Sequence, residues 1–194
     1  VNPTDRDHFY VGTASGGVWM SRNGGISFEP IFDDQKYLGI GAVAVSDANP
    51  NIIWVGTGEG NPRNSANYGG GIYKSLDGGK TWNKLTNGLP DEKLGRIGIE
   101  VAPSNSNILY ASVETGTLET KGMYRSEDGG ANWKMIGRNQ NTGIRPFYFS
   151  ELEIDPNNPD IVAKCGLNGI ISENQGATWR TLDGRVHSDF HDIW

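Results

Sequence analysis

The sequence predicts an all-β fold, and three observations lead to that prediction. Glycine accounts for 28 of the 194 residues, about twice the usual share, which indicates many tight turns. The apolar residues occur in short runs separated by Gly, Asn and Pro, and no stretch shows sustained helical periodicity with caps. One pattern also recurs four times along the chain, at intervals of roughly 50 residues, and a repeat of that length is typical of stacked or radial β architectures.

The repeated pattern begins with Ser, contains Asp or Asn followed by Gly, and ends with an aromatic residue. Its copies are Ser21–Phe28, Ser75–Trp82, Ser126–Trp133 and Ser172–Trp179. The Asp or Asn side chain accepts backbone N–H bonds across the turn, and Gly supplies the positive φ of a tight hairpin. The closing aromatic ring fills the wedge between neighbouring sheets. We therefore assign a structural role, and no part in chemistry, to Asn23, Asp77, Asp128, Asn174, Phe28, Trp82, Trp133 and Trp179.

A second motif keeps the same period and places a turn after the first strand of each repeat. Its copies are Val1–Pro3, Val45–Asp47, Val101–Pro103 and Ile154–Pro156. In the second repeat, the pattern predicts strands over 40–45, 52–57, 72–75 and 82–85. Four short strands per repeat of this length are typical of a blade of a β-propeller.

We therefore predict a β-propeller with four four-stranded blades, followed by the first strand of a further blade. The predicted blades are 1–38, 39–93, 94–145 and 146–188, and the further strand is 189–194. The last strand either completes the first blade and closes a four-bladed ring, or belongs to a larger propeller of which this chain is a segment. We expect the segment, because the chain begins with a turn motif that elsewhere follows a first strand.

Charge and composition exclude several classes of function. The chain has 17 basic and 23 acidic residues and a net charge of -6, so it lacks the basic surface that nucleic acids or anionic membranes require. The longest apolar run, residues 40–45, is far shorter than the ~20 residues that cross a bilayer, and we expect no membrane insertion. Cys165 is the only cysteine, which excludes a disulfide scaffold. We expect no cofactor.

The Ser-x-Asp-Gly-Gly-x-Thr-Trp segment at 75–82 resembles the Asp-box, or BNR repeat, of sialidase, xyloglucanase and sortilin propellers. Residues 10–19, 54–65, 145–148 and 185–191 are similar to the large secreted sortilin-like repeat proteins of bacteria. The resemblance extends over essentially the whole chain. It implies a secreted, extracellular or periplasmic protein that binds a protein, peptide or glycan partner, usually as part of a longer chain or an extracellular assembly.

Loops after the second and fourth strands of each blade meet on one face, which is free to vary while the sheets hold it. The longest such loop is 58–70, and an Arg and a Tyr in a polar loop suit contact with a peptide or glycan. A loop folded on itself is the alternative. The candidate ligand-binding residues of this face and of the channel beside it are Glu59, Arg63, Asn64, Tyr68, Arg96 and Arg145.

His187, Asp189 and His191 are further ligand-binding candidates, since side chains two apart in a strand point to the same side. Imidazole and carboxylate groups could hold a transition metal. They could equally form a pH-sensitive hydrogen-bond cluster on the channel wall, or bond to backbone at a blade junction. The spacing leaves these three readings open, and we assign no metal.

The enzymes of the families that this chain resembles require groups that this segment does not supply. In the xyloglucanase pattern a catalytic Asp follows Thr and precedes x-Gly-Gly, and Ala14 stands at that position within Thr13–Gly17. Sialidases require an Arg-Ile-Pro signature, whereas this chain has Ile144-Arg145-Pro146. We therefore expect a non-catalytic segment. The alternative is part of a glycoside hydrolase whose catalytic residues lie partly outside this chain, with Asp33, Asp34, Glu59, Asp91 and Glu92 as the available carboxyl groups.

Overall fold

The computed structural model describes residues 2–60, 66–137, 151–182, 190 and 192–193. These residues form antiparallel sheets and contain no helix, which confirms the predicted all-β class. Within the same ranges, no helix has the length and apolar character needed to cross a bilayer.

Each sheet is a meander whose strand order follows the chain. The first sheet contains β1 (Phe9–Gly12), β2 (Val18–Ser21) and β3 (Glu29–Pro30). The second contains β4 (Ile40–Val45), β5 (Ile53–Thr57), β6 (Ile72–Ser75) and β7 (Asn83–Leu85). The third contains β8 (Leu94–Val101), β9 (Leu109–Thr115), β10 (Gly122–Ser126) and β11 (Lys134–Gly137). The fourth contains β12 (Leu152–Ile154), β13 (Val162–Lys164), β14 (Ile170–Ser172) and β15 (Arg180–Thr181).

We call the four sheets blades 1 to 4, and each lies inside one of the predicted blade ranges. Blades 2 to 4 have the predicted four strands, and three strands are described in blade 1. Its strands correspond to the second to fourth strands of the other blades, because residues 2–8 form the turn that elsewhere precedes a second strand. The Asn2 N–H donates to His8 O at 2.9 Å, as the Ala102 N–H does to Ile108 O at 2.9 Å.

Half of the further strand predicted over 189–194 falls outside the described residues. Of this stretch, Phe190, Asp192 and Ile193 are described, and none of the three is assigned to a strand. The Phe190 N–H donates to Gly166 O at 2.9 Å. In the same way the N–H of Ile40, at the start of β4, donates to Thr13 O at 2.9 Å.

The blades pack face to face in chain order, which is the arrangement of propeller blades. Between blades 1 and 2, Val18 and Phe32 pack with Ile53 and Val55. Trp54, between those two residues on β5, packs into the next core with blade 3. Since side chains alternate along a strand, a single strand contributes to two cores. Each inner blade is therefore buried on both faces, and its neighbours hold its position.

The Asp-box turn is closed by side-chain hydrogen bonds that are complete in the second copy. Ser75 Oγ donates to Asp77 Oδ1 at 2.8 Å and accepts the Gly79 N–H at 2.9 Å. Asp77 accepts the Thr81 N–H at 2.9 Å and the Thr81 hydroxyl at 2.6 Å. The Trp82 indole N–H donates back to Gly79 O at 3.1 Å. In the copies with Asn the amide takes the reverse role, and Asn174 Nδ2 donates to Thr178 Oγ1 at 2.9 Å.

In blades 2 to 4 the second glycine of the box lies in the interface with the preceding blade. Gly79 has a φ of 89°, and a Cβ there would lie 2.6 Å from Ile31 Cδ1 of blade 1. Gly176 has a φ of 84°, and a Cβ there would lie 2.3 Å from Ile136 Cδ1 of blade 3. Backbone conformation and blade contact therefore both require glycine. The fourth copy departs from the others one residue earlier, where Gln175 has a φ of 63°.

We expect Gly79→Ala to lower the free energy of unfolding by about 2–4 kcal/mol, because the new methyl group meets Ile31 and a side chain is strained at this φ. Urea denaturation followed by circular dichroism measures the change. Gly116→Ala is the matched control, since its Cβ would meet only Glu92 Oε2, at 3.8 Å. Equal losses in the two variants would contradict the role of the second glycine.

We expect acid stability to depend on Asp77, because hydrogen bonds from Thr81 and Ser75 hold the pKa of its carboxyl at about 2, below the ordinary 3.8. A depressed folded-state pKa stabilises the protein above pH ~4, and this contribution is lost as the pH falls through ~2. Asp77→Asn keeps the turn, as Asn174 does, and should reduce the fall in thermal midpoint between pH 5 and pH 2. Asp47→Asn removes an exposed carboxylate outside the boxes and serves as control. An identical fall in Asp77→Asn and in the unmodified protein would contradict this prediction.

Candidate functional site

The loop end of blades 1 to 3 contains two adjoining depressions that share Asn67 and Tyr68. One, of about 380 Å³, lies between the 66–68 segment and the start of β8 in blade 3. The other, of about 330 Å³, lies between the same segment and residues 36–39, which lead into β4. We call the two depressions together the Tyr68 cleft. They are on the face where the sequence predicted ligand contacts.

Tyr68 lies between the two depressions with 57% of its surface exposed. The ammonium group of Lys93 lies 3.9 Å from the ring centroid, a distance at which a cation is attracted to the π face. On the other side of the cleft Lys36 Nζ lies 5.4 Å from the Tyr37 ring. Gly70 allows the Tyr37 ring to approach the backbone, because a Cβ at that position would lie 2.1 Å from Tyr37 Cδ2.

Asn67 holds the loop of blade 2 against the loop of blade 1. Its side-chain amide donates to Ala14 O at 3.2 Å, and its backbone N–H donates to Glu59 Oε2 at 2.9 Å. The Glu59 N–H in turn donates to Asn67 O at 3.1 Å. These bonds fix the base of the loop and position Tyr68, the next residue.

Glu59 is fully buried, which corrects the expectation that its carboxylate is presented at the loop face. It is buried because it accepts the backbone N–H of Asn67, across the loop from itself. In the described residues 58–60 and 66–70, the loop is therefore folded on itself. Arg63 and Asn64 lie outside the described residues.

Arg96 forms the floor of the larger depression and joins three blades. It is only 5% exposed, and its guanidinium donates to Gly41 O of blade 2 at 3.4 Å and to the Glu151 carboxylate beside blade 4. Its backbone N–H donates to Glu114 Oε2 at 3.2 Å. The Glu151 carboxylate pairs with this cation, whose buried Nε has no hydrogen-bond partner among the described residues.

The remaining predicted site residues lie outside the described residues: Arg145, His187, Asp189 and His191. The alternatives for the two histidines and Asp189 stay open. Among the residues that the structure does describe, no group of three or more His, Cys, Asp or Glu side chains could hold a metal ion.

The carboxyl groups available for glycoside hydrolysis are not brought together in the cleft. Asp33 and Asp34 line a separate groove between blades 1 and 2. Glu92 accepts hydrogen bonds from the Thr117 and Thr120 hydroxyls. Of the described residues that line the two depressions, Glu114 is the one carboxylate.

Sequence reasoning missed two ionisable groups on the strands of blades 3 and 4, the half-buried Glu100 and the buried Lys164. Burial raises the pKa of Glu100 to about 8, and the Glu153 and Glu151 carboxylates add to the shift. Burial also lowers the pKa of Lys164 to about 8, and its ammonium donates to Cys165 O at 3.1 Å. The signal that could have found them is a charged residue inside an apolar strand, as in Ile97–Val101 and 161–165.

Comparison with known proteins supports both the repeat and the fold. The BNR/Asp-box repeat family matches residues 73–84. A xyloglucanase of Acetivibrio thermocellus is 23% identical over 220 residues, which cover 95% of this chain and 25% of that protein. This chain thus spans about a quarter of the length of that relative. It carries an Asp-box repeat and is distantly related to xyloglucanases.

Two solved structures show the same fold. The GH74 xyloglucanase of Xanthomonas campestris superposes with a TM-score of 0.70 at 18% identity, over 96% of this chain and 30% of that chain. An auxiliary nutrient binding protein of Bacteroides thetaiotaomicron superposes with a TM-score of 0.57 at 13% identity, over 88% of this chain and 36% of that chain. The predicted β-propeller class is confirmed.

We expect stability to fall between pH 4.5 and pH 8 because of Glu100. A folded-state pKa raised from 4.5 to about 8 favours the uncharged form, so the stabilisation is full below pH 4.5 and is lost as the pH rises through 8. Glu100→Gln should flatten this fall and give a higher thermal midpoint than the unmodified protein at pH 9. Glu119→Gln, at an exposed position, is the control. Parallel pH profiles for Glu100→Gln and the unmodified protein would contradict the assignment.

Proposed function

We propose that this chain is a propeller segment that binds a neutral oligosaccharide in the Tyr68 cleft. The observation that carries the proposal is the half-exposed Tyr68 ring, held by Lys93 between two depressions on the loop face. Aromatic rings offer apolar faces to the C–H groups of a sugar, while the hydroxyl stays hydrated. Of the three kinds of partner considered, the proposal chooses a glycan rather than a protein or peptide.

The polar groups around Tyr68 suit a ligand rich in hydroxyls. Lys93 and Lys36 supply donors, Glu114 supplies an acceptor, and Asn67 lies at the junction. Their charges are mixed in sign, which disfavours a strongly charged ligand. The two depressions have volumes typical of small-ligand sites, and their position on either side of Tyr68 fits a chain of several sugar units lying across the ring.

The relatives support the choice of a glycan. A xyloglucanase shares this fold and another is related in sequence, and we extend the ligand class in that name to this chain as part of the proposal. The same proposal includes a sortilin-like binding role for the loop face. It also includes a secreted or periplasmic location, because polysaccharides of this kind occur outside the cytoplasm.

The described residues of the cleft favour binding over catalysis. Inverting hydrolysis requires two carboxyl groups about 6.5–9.5 Å apart on either side of the bond that is cut. Glu114 is the one carboxylate among the described lining residues, and Ala14 stands where the xyloglucanase pattern has Asp. The second candidate function is a glycoside hydrolase with catalytic residues partly outside this chain, and the relation to xyloglucanases favours it.

We expect Tyr68→Ala to weaken binding of xyloglucan oligosaccharides about tenfold, roughly 1.4 kcal/mol, because the ring supplies the main apolar contact. Isothermal titration calorimetry measures the affinity, and Tyr68→Phe should retain most of it. Leu76→Ala, which removes an exposed apolar side chain in the Asp-box turn, is the control. Equal affinity of Tyr68→Ala and the unmodified protein would overturn the proposal. Release of reducing ends by the unmodified protein would favour the hydrolase instead.

A further inference from the structure

Blades 1 to 3 each have an aromatic residue opposite the residue that precedes the Asp-box serine. Trp54 of β5 is opposite Lys74 of β6, and Tyr110 of β9 is opposite Arg125 of β10. In blade 1, Tyr10 of β1 is opposite Met20 of β2. The pair therefore joins an aromatic ring to a cation in blades 2 and 3, and to an uncharged thioether in blade 1.

In blade 2 the cation connects one blade to the next. Lys74 Nζ donates to Gly129 O, in the Asp-box of blade 3, at 2.7 Å. It also lies 5.0 Å from the Trp54 ring, and the Trp54 indole N–H donates to the same carbonyl at 3.1 Å. The first glycine of the next Asp-box is thus the acceptor for a cation from the preceding blade.

In blade 3 an arginine makes the corresponding connection to blade 4. The Arg125 guanidinium lies 5.6 Å from the Tyr110 ring and reaches Asp160 at 3.4 Å and Gln175 Oε1 at 3.5 Å. Gln175 occupies the position of the first box glycine. Asp160 supplies the carboxylate that a guanidinium pairs with.

The junction between blades 1 and 2 has no such cation among the described residues. Met20 is buried at that position, and the Tyr10 hydroxyl is buried without a hydrogen-bond partner among the described residues. Across from Met20, Gly78 is the counterpart of Gly129. A groove of about 750 Å³ opens here, lined by Met20, Pro30, Gly78 and Trp82 among others. We call it the junction groove.

The charged residues of the junction groove give it a negative balance. Glu29, Asp33 and Asp34 supply carboxylates, and Arg22 and Lys80 supply cations. Arg22 pairs with Glu29 at 3.2 Å, which leaves two carboxylates facing one ammonium group. A cation entering from outside would therefore be attracted.

We propose that the junction groove binds a lysine side chain from an extended segment of a partner protein. Its ammonium group takes the place at Gly78 O that Lys74 takes at Gly129 O, and Asp33 and Asp34 attract it. Its aliphatic stem packs along Met20, Pro30 and Trp82, as long charged side chains do on apolar surfaces.

The neighbouring junctions favour lysine over arginine. The Gly78 N–H donates to Asn51 O, the Gly129 N–H to Asn107 O, and the Gln175 N–H to Asp160 O, so these three acceptors are equivalent positions. The junction with Asn107 holds lysine, and the junction with Asp160 holds arginine. At the position equivalent to Asp160 the first junction has Asn51, as the lysine junction has Asn107, so it corresponds to the lysine case. This surface is separate from the Tyr68 cleft.

The test uses the peptide acetyl-Gly-Gly-Lys-Gly-Gly-amide. Two further peptides have Arg or acetyl-lysine in place of the central lysine. We expect the lysine peptide to shift the NMR signals of the Trp82 indole and the Met20 methyl group, with at least fivefold weaker binding of the other two. The Met20→Lys variant places an ammonium group of the chain itself where the peptide's would bind. It should therefore reduce peptide binding at least tenfold while raising the thermal midpoint. Leu118→Lys, which adds the same charge at an exposed loop position, should leave binding within twofold.

Absence of any shift with the lysine peptide would overturn the proposal, as would equal binding by Met20→Lys and the unmodified protein, or equal binding of lysine and acetyl-lysine peptides. Asp33→Asn combined with Asp34→Asn provides an independent reading should Met20→Lys fail to fold. A loss of at least fivefold in this double variant supports the proposal, and unchanged binding contradicts it.

Discussion

The structure depends on the turn in which a serine hydroxyl accepts the N–H of the second box glycine and donates to the Asp or Asn side chain. This turn does more than reverse the chain, since in blades 2 to 4 its second glycine lies against the preceding blade. The first residue of the Gly pair is also bound to the turn before the second strand, as the Gly78 N–H donates to Asn51 O at 2.9 Å. Two turns of each blade are thus tied together at one end of the molecule. At the opposite end the loops of the described residues differ in length and content.

The difference between the two ends of the molecule explains why one scaffold serves different activities. The Asp-box end fixes the spacing between blades, so the loops at the opposite end can change without loss of the core. The likeness to a xyloglucanase and to a nutrient binding protein at low identity shows the scaffold alone. Function therefore has to be argued from the residues at the loop end, and the proposed function rests on Tyr68 with its Lys93 partner there.

The fold could be predicted because its determinants are local. A hydroxyl, an Asx side chain and glycines within eight residues define each turn, and the strands of blade 2 were predicted to within one residue. The site could not be predicted in the same way. Glu59 stands in a polar loop, and its burial depends on Asn67 and, through it, on Ala14 of another blade. The raised pKa of Glu100 depends first on burial between blades and then on the Glu153 and Glu151 carboxylates of the adjacent blade, and no pattern along one strand records that proximity.

The left-handed backbone of Gln175 makes the four repeats energetically unequal. A residue with a side chain in this conformation is disfavoured by about 1 kcal/mol relative to glycine, and three of the copies avoid that penalty. Repetitive architectures lose structure one unit at a time when their units differ in strength. The last copy is then where this protein would first fray, and its neighbours could stay folded while it exchanges between open and closed forms.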